Sequence, residues 1–337
     1  MVKSHGPLDK SVNTLYATAF SRFSRSEQVP IIKRVADTRL VGKRDRHIDF
    51  SGFEDMARDI LDIGGYTIKK RIGVGARTTI YLATDDANGT EVALKRVILE
   101  RPEDVRVFEQ VEAEYKIARK VTHPYIRQCY RLKKIRSMLK TKEMLLAMEY
   151  FDGQSLEEGP ALSLLDVMLV FRMVATGLNA MHQCGLVHCD IKPNNILLSK
   201  AGAIKIIDLG QSCRIGTTKR RIQGTPDYIA PEQVHRKPLG PKTDIFNLGA
   251  TMYWALTGRT VPTLIPKKDP FGLAVPPEPL RPPNEVRPQI PAGISNLVMD
   301  CVEEDPAKRP TDMMTVISRL DLMIHSILSN KSKTNSQ

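Results

Sequence analysis

The sequence predicts an α+β chain in which strands come first and helices dominate later. Three observations carry this. Between Tyr66 and Glu149, apolar residues fall in short strand-like runs broken by turn residues such as Gly73, Gly75 and the pair Asn88-Gly89. From Leu162 to Gly185 one long stretch repeats its apolar residues at helical spacing. With 337 residues the chain is long enough for one large domain of two lobes or for two small domains.

Composition narrows the classes. The chain is 42% hydrophobic and 26% charged, an ordinary globular profile. The longest apolar run, Leu162 to Leu178, is interrupted by Asp166 and Arg172, so no membrane span is expected. The first residues lack a basic start followed by an apolar core, so no secretion signal is expected and the cytoplasm is the expected location. The formal charge is +12, but Lys and Arg are scattered rather than striped, and no nucleic-acid partner is expected. Such a charge instead attracts nucleotides, acidic substrates or anionic surfaces. The five cysteines are odd in number and form no C-x-x-C pair, which points to reduced thiols rather than to zinc or a disulfide framework.

Taken in order, residues 1–62 form a polar extension. Phe53, Met56, Ile60 and Leu61 predict a helix near 51–62, with Ser51 as its cap and Gly64-Gly65 as its end. That helix packs on the rest of the chain, or else serves a partner or autoinhibition. Tyr66 to Ala83 reads as two strands around the turn Gly73-Val74-Gly75, where glycines let backbone amides approach a phosphate. Val92-Ala93-Leu94-Lys95 is a further strand. Pro102 to Lys120 reads as a helix, with Val105, Phe108, Val111, Tyr115 and Ala118 on its apolar side. Strands follow around Tyr130–Lys134 and Glu143–Glu149. Val167, Val170, Phe171, Val174, Leu178 and Met181 form the buried stripe of the long helix. Residues 262–291 are proline-rich, an irregular loop or a docking site for a partner. The end, 328–337, reads as a frayed polar tail.

The chemistry concentrates at His188-Cys189-Asp190-Ile191-Lys192-Pro193-Asn194-Asn195 and, after the run Ile196-Leu197-Leu198, at Asp208-Leu209-Gly210. Asp190 is placed to take a proton from an attacking hydroxyl. Asn195 and Asp208 are hard oxygen donors of the type Mg²⁺ prefers. Lys192 can neutralise charge on a moving phosphoryl group.

These residues resemble the protein kinase family, whose catalytic loop is H-R-D-x-x-x-x-N and whose metal triplet is D-F-G. The resemblance extends over residues 65–325 through Gly73-x-Gly75, Val92-Ala93-Leu94-Lys95, Ala230-Pro231-Glu232, Asp244-Ile245-Phe246-Asn247-Leu248-Gly249 and Arg309. It implies the two-lobed kinase fold: a small β-rich N-lobe with one key helix, 63–150, and a larger, mostly helical C-lobe, 151–327. It implies ATP and Mg²⁺. Gly73, Val74, Gly75, Ile80, Ala93, Lys95, Glu114, Met148, Glu149, Phe151 and Leu197 would bind the nucleotide. Spacing to His123-Pro124 selects Glu114 over Glu112 as the partner of Lys95, and Met148 would be the gatekeeper before the hinge. Asp190, Lys192, Asn195 and Thr225 would be catalytic, and Asn195 and Asp208 would hold the metal. His188 would be structural, and Glu232 would pair with Arg309. Lys192 together with Gly224-Thr225 is similar to the serine/threonine branch, whose partners are protein substrates with Ser or Thr acceptors.

Four positions depart from the family pattern. Thr78 replaces the third glycine, which stiffens the loop. Leu209 replaces Phe, and Phe246 replaces Trp, both hydrophobic exchanges. Cys189 replaces the arginine that docks a phosphorylated activation segment, and a neutral thiol cannot do this. Activity is therefore expected not to depend on phosphates at Thr217 or Thr218, although Lys219-Arg220-Arg221 could hold one. Cys189 and Cys213 read as inert small residues rather than a thiol switch. The alternative function is a pseudokinase scaffold that binds nucleotide or partners without catalysis, but its expected mark, loss of Lys95, Asp190 or Asp208, is absent.

Overall fold

The alternating apolar residues between Tyr66 and Glu149 form a five-stranded antiparallel sheet in the computed structural model. Its strands are β1 (Tyr66–Val74), β2 (Thr79–Asp85), β3 (Glu91–Ile98), β4 (Cys129–Ser137) and β5 (Lys140–Glu149), in the order β1-β2-β3-β5-β4. The structure describes residues 62–75, 77–100, 105–137, 140–262, 264, 267–268, 274–275 and 279–334. The helix expected near 51–62 lies outside them, apart from Asp62. Asp62 bridges Thr67 and accepts from the Gly65 N–H at 3.3 Å, so Gly64-Gly65 turns the chain into β1. Both glycines have positive φ, 64° and 85°, which suits such a turn. β4 and β5 run longer than expected.

The chain divides into two compact units. The first is the sheet unit, which ends at Glu109 and resumes over Cys129–Tyr150; the second takes Gln110–Gln128 and everything from Phe151 onward. The sheet unit thus takes residues 63–109 and 129–150 of the span expected as the N-lobe. Backbone pairing explains why 110–128 leave it: Arg127 N–H donates to Ile206 O at 3.0 Å and Ile206 N–H to Tyr125 O at 2.8 Å. In the first unit, Ile63, Tyr66, Ala83, Val92, Leu94, Leu145 and Ala147 form a core on one face of the sheet.

The helix α1 (Val105–Ala118) begins in the first unit and ends in the second. After it come β6 (Gln154–Ser155), α2 (Leu164–Gln183), β7 (Leu186–Val187), β8 (Ile196–Leu198), β9 (Ile204–Ile206) and β10 (Cys213–Arg214). The helices α3 (Pro231–Val234) and α4 (Pro241–Thr257), a short hairpin of β11 (Lys267–Lys268) and β12 (Ala274–Val275), and the helices α5 (Pro283–Val286), α6 (Ala292–Cys301) and α7 (Met313–Thr334) complete the chain. α2 starts at a capping box: Asp166 N–H donates to Ser163 Oγ, and Ser163 N–H returns to the Asp166 carboxylate. By length and composition α2 could cross a membrane, yet 61% of its apolar window is buried inside the unit, including the whole expected stripe. α4 buries 14 of its 17 residues. At Gly249 a Cβ would meet Cys301 Cβ at 2.5 Å, so only glycine lets α4 approach α6 this closely. The tail expected to fray from 328 is helical through Thr334. Val316, Ile317, Leu320 and Ile324 bury α7, and extension beyond an anchored helix costs little.

Arg309 closes the second unit. Its Nη1 and Nη2 donate to the Glu232 carboxylate at 2.8 and 3.0 Å. Nη1 also donates to Lys242 O, Nη2 to Glu304 O and Nε to Glu303 O. All of the guanidinium's donors are thereby used, and the group lies 4.9 Å from the Phe246 ring centroid. Both partners are buried. Lysine cannot reproduce the fork, and breaking such a pair costs about 3–5 kcal/mol. Arg309→Lys and Glu232→Gln are each expected to lower stability by that order in urea unfolding.

Candidate active site

Strand register assembles part of the expected nucleotide set. Gly73 is opposite Ile80, Ile80 opposite Lys95, and Ala93 opposite Met148. Directly paired residues and residues two apart share a face. Ile80, Ala93, Lys95 and Met148 therefore lie on one side of the sheet, the side opposite the core of the first unit. Met148 and Ala93 are buried, Lys95 and Ile80 half-buried, and Val74 is 69% exposed. In the glycine turn, Gly75 N–H donates to Thr78 O at 2.7 Å. A Cβ at Gly75 would meet Thr78 Oγ1 at 2.6 Å. Thr78 thus tightens the turn, and a larger residue at 75 would have to displace its hydroxyl. Glu149 ends β5 in the first unit. Phe151 belongs to the second, where it packs against Gly153, and so do Leu197 on β8 and the buried Glu114 on α1.

Within the second unit the loop after β7 brings the expected catalytic residues together. Asp190 Oδ1 accepts from Thr225 N–H at 3.1 Å and Thr225 Oγ1–H at 2.9 Å. Its Oδ2 lies 3.1 Å from Lys192 Nζ and 3.2 Å from Asn195 Nδ2. Lys192 also donates to Thr225 Oγ1 at 2.7 Å. The carboxylate is thus oriented by a cation, an amide, a hydroxyl and a backbone N–H.

Asn195 and Asp208 are neighbours through the strands that carry them. Ile196 pairs with Ile206, and Ile207 N–H donates to Asn195 O at 2.9 Å. The next residue, Asp208, has φ 62°, a left-handed turn that aspartate tolerates better than most residues. Asn195 turns its amide nitrogen onto the Asp190 carbonyl at 2.8 Å, leaving its amide oxygen as the atom a cation can take. Among the described residues no group of three or more His, Cys, Asp or Glu forms a metal cage. Mg²⁺ suits such a site, since it is held by one or two protein oxygens together with substrate phosphates.

Beneath this loop runs a polar stripe that the sequence reading took only in part. Asp244, Asn247 and Thr251 recur at i, i+3 and i+7 on the buried helix α4, one face of that helix. Asp244 accepts from His188 N–H at 2.9 Å, Cys189 N–H at 2.8 Å and His182 Nε2 at 2.8 Å. Asn247 donates to Tyr228 O, and Thr251 to Ile191 O. His182, Gln233, Asn247 and Thr251 went unassigned from sequence. For Asn247 and Thr251 the signal available was polar residues at helical spacing inside an otherwise buried helix; His182 and Gln233 had none. His188 Nε2 faces Ile207 O at 3.3 Å, and Nδ1 faces Asp190 N–H at 3.3 Å. A carbonyl can only accept and an amide can only donate, so the hydrogen sits on Nε2 and the ring is a structural strut.

Cys189 is buried with φ 67°, a strained conformation for a side chain other than glycine. It is held from both ends, by Asp244 at its N–H and by Gln233 Nε2 at its carbonyl, 2.8 Å away. Full burial pushes the Asp244 carboxyl up, but the His182 hydrogen bond and charge, His188 and the Cys189 N–H outweigh it, leaving the value below the ordinary one. A depressed folded value means that this stabilisation is complete above about pH 4 and is lost as pH falls through the folded value. Asp244→Asn is expected to cost about 3–5 kcal/mol at neutral pH. It should also flatten the acid limb of stability against pH, read from urea midpoints between pH 2 and 7.

Comparison with known proteins agrees with this geometry. The family model described as protein kinase domain matches residues 66–321. The serine/threonine-protein kinase drp72 of Corynebacterium efficiens is 30% identical over 262 residues, which cover 73% of this chain and 48% of that protein. The serine/threonine-protein kinase PknA of Mycobacterium tuberculosis is 28% identical, over 73% of this chain and 58% of its own length. A probable serine/threonine-protein kinase of Clostridium acetobutylicum is 27% identical, over 76% and 39% respectively. The chain thus spans about half the length of the curated relatives it matches. With the α+β architecture, the register of the sheet and the loop around Asp190 in place, the chain belongs to the protein kinase domain family.

Proposed function

We propose that this chain is a serine/threonine protein kinase that moves the γ-phosphoryl group of ATP onto Ser or Thr hydroxyls of protein substrates. The observation that carries the reading is the Asp190 carboxylate, held at once by Thr225, Lys192 and Asn195. ATP with Mg²⁺ supplies the transferable group and the charge that steadies it. Asn195 and Asp208 would hold the metal, and Lys95 the phosphates. Asp190 orients the acceptor hydroxyl and takes its proton. Lys192, already within reach of Asp190 and Thr225, carries positive charge to the phosphoryl group as negative charge builds there. Thr225 fixes the carboxylate from the side opposite Asn195, so its rotation is restricted before substrate arrives.

Independence from activation-segment phosphorylation is part of the proposal. An arginine before the catalytic aspartate would meet a phosphate, but Cys189 carries no charge. Hydrogen bonds within the protein hold the segment instead. Gln233 Nε2 donates to both Cys189 O and Gln223 O, at 2.8 and 3.1 Å. Gly216 N–H donates to Leu239 O and Leu239 N–H to Thr217 O, and Thr217 Oγ1 is turned onto Arg214 O at 2.6 Å. Lys219 Nζ donates to Gln211 O. None of these contacts needs a phosphate.

Asp190→Asn is expected to lower phosphate transfer by about 10²–10⁴-fold while leaving ATP affinity within a few-fold, since only the proton acceptor is lost. Labelled ATP with a generic basic protein as acceptor measures the first, and equilibrium binding the second. Undiminished transfer by the variant would remove this mechanism, and a wild type that binds ATP but never transfers would mark a scaffold. Thr217→Ala together with Thr218→Ala is expected to retain activity within about 3-fold. A loss approaching the Asp190→Asn level would show that a phosphate there is required.

A further inference from the structure

We propose that Cys189 and Cys213 form a reversible disulfide in the presence of hydrogen peroxide, tying the catalytic loop to the segment that follows Asp208. The bond itself does not depend on the kinase reading; its effect on phosphoryl transfer does.

The two thiols stand 3.8 Å apart, sulfur to sulfur, although 24 residues separate them in sequence. Strand pairing brings them together. Cys213 on β10 is opposite Val187 on β7, two residues before Cys189. A disulfide needs the sulfurs at about 2.05 Å, so about 1.8 Å of approach completes the bond. Rotation about the two Cα–Cβ bonds can share that movement. The thiols differ in access. Cys189 is buried at 2% exposure, while Cys213 is half-buried and open to a small oxidant. They also differ in acidity. The Cys213 thiol is lowered to about 7, first by the hydrogen bond from Cys189 and then, against burial, by the charge of Lys219 and a contact with Thr217. That same hydrogen bond, with burial, raises Cys189. This is the asymmetry of an attacking thiolate beside a resolving thiol. The other three cysteines, exposed Cys184 and buried Cys129 and Cys301, form no disulfide.

The chemistry balances. The Cys213 thiolate attacks one peroxide oxygen, the O–O bond breaks, and hydroxide leaves and takes a proton to become water. Cys213 is then a sulfenic acid. The Cys189 sulfur attacks the Cys213 sulfur, the S–O bond breaks, and the departing hydroxide takes the Cys189 proton as a second water. In sum, two thiols and one hydrogen peroxide give one disulfide and two waters. Thiol reductants reverse it.

The consequence follows from where the bond lies. Cys189 directly precedes Asp190, and its backbone is already held at positive φ by Asp244 and Gln233. Pulling its side chain toward β10 shifts the neighbouring carboxylate, and misplacement near 1 Å costs on the order of 100-fold in rate. The oxidised form is expected to transfer phosphate at least ~10-fold more slowly than the reduced form.

The test is peptide mapping of the full chain after hydrogen peroxide, quenching with catalase and blocking of free thiols with iodoacetamide. The expected result is a peptide pair joined through Cys189 and Cys213, two hydrogens lighter than the separate peptides and released by dithiothreitol. Cys184 should remain alkylated. In Cys189→Ser, Cys213 should be trapped by dimedone as sulfenic acid. The proposal is overturned if both thiols are still alkylated, if Cys213 proceeds to sulfinic acid unlinked, or if it links to Cys184. The wild-type map decides this even where the variant fails to fold. Linked protein that transfers phosphate as fast as reduced protein overturns the regulatory half. Reduced protein with no transfer at all counts against the kinase reading and leaves the mapped bond standing.

Discussion

One buried carboxylate holds the catalytic loop in shape. Asp244 is wholly enclosed, and an isolated charge there would be costly. It persists because two backbone N–H groups and the His182 ring converge on it. The dependence is mutual. Cys189 holds an unfavourable φ only because its N–H has that acceptor and its carbonyl has Gln233. Without the pair, the chain between β7 and Asp190 would relax toward ordinary backbone angles. Asp190 would then lose the position from which Thr225, Lys192 and Asn195 grip it. The geometry around Asp190 thus rests on burial of charge on a different helix.

The second buried ion pair, Arg309 with Glu232, has another task. It sits where α3 and the turn before α7 meet, and its guanidinium reaches three carbonyls as well as the carboxylate. Glu232 is followed directly by Gln233, which binds Cys189 and Gln223. The short helix α3 therefore faces both ways. One residue anchors it to the end of the unit, and the next fastens the segment carrying Thr225 to the catalytic loop. Fixing α3 fixes the route by which Thr225 arrives at Asp190.

How much of this the sequence showed follows from the range of each interaction. The sheet strands, the stripe of α2 and the residues around Asp190 were legible because period and local motif carry them. Arg309 and Glu232 were legible only through resemblance, since 77 residues separate them. Gln233 and His182 were not legible. Each acts through a partner brought near by folding, and neither stands in a periodic pattern. The pairing of Tyr125 and Arg127 with Ile206 was hidden for the same reason: it runs through the backbone, of which side-chain identity says nothing. The helical tail was misread because polarity was taken for fraying, whereas the apolar anchors of α7 lie a turn or more upstream.

The substitution at position 189 draws these threads together. An arginine there would project a charge and require a phosphate to neutralise it. Cysteine is small and buries completely, and the space around it is closed by Cys213, Val187 and Leu239. With that space closed, hydrogen bonds from the Gln233 side-chain amide to Cys189 O and Gln223 O hold the segment without a charged partner at position 189. The same closure brings two sulfurs into contact. If the loop works without a phosphate, as proposed, the groups left facing each other there are two thiols, whose strong chemistry is with oxidants. On the proposed reading, neutral packing and redox sensitivity would both follow from one small residue, the one immediately before Asp190.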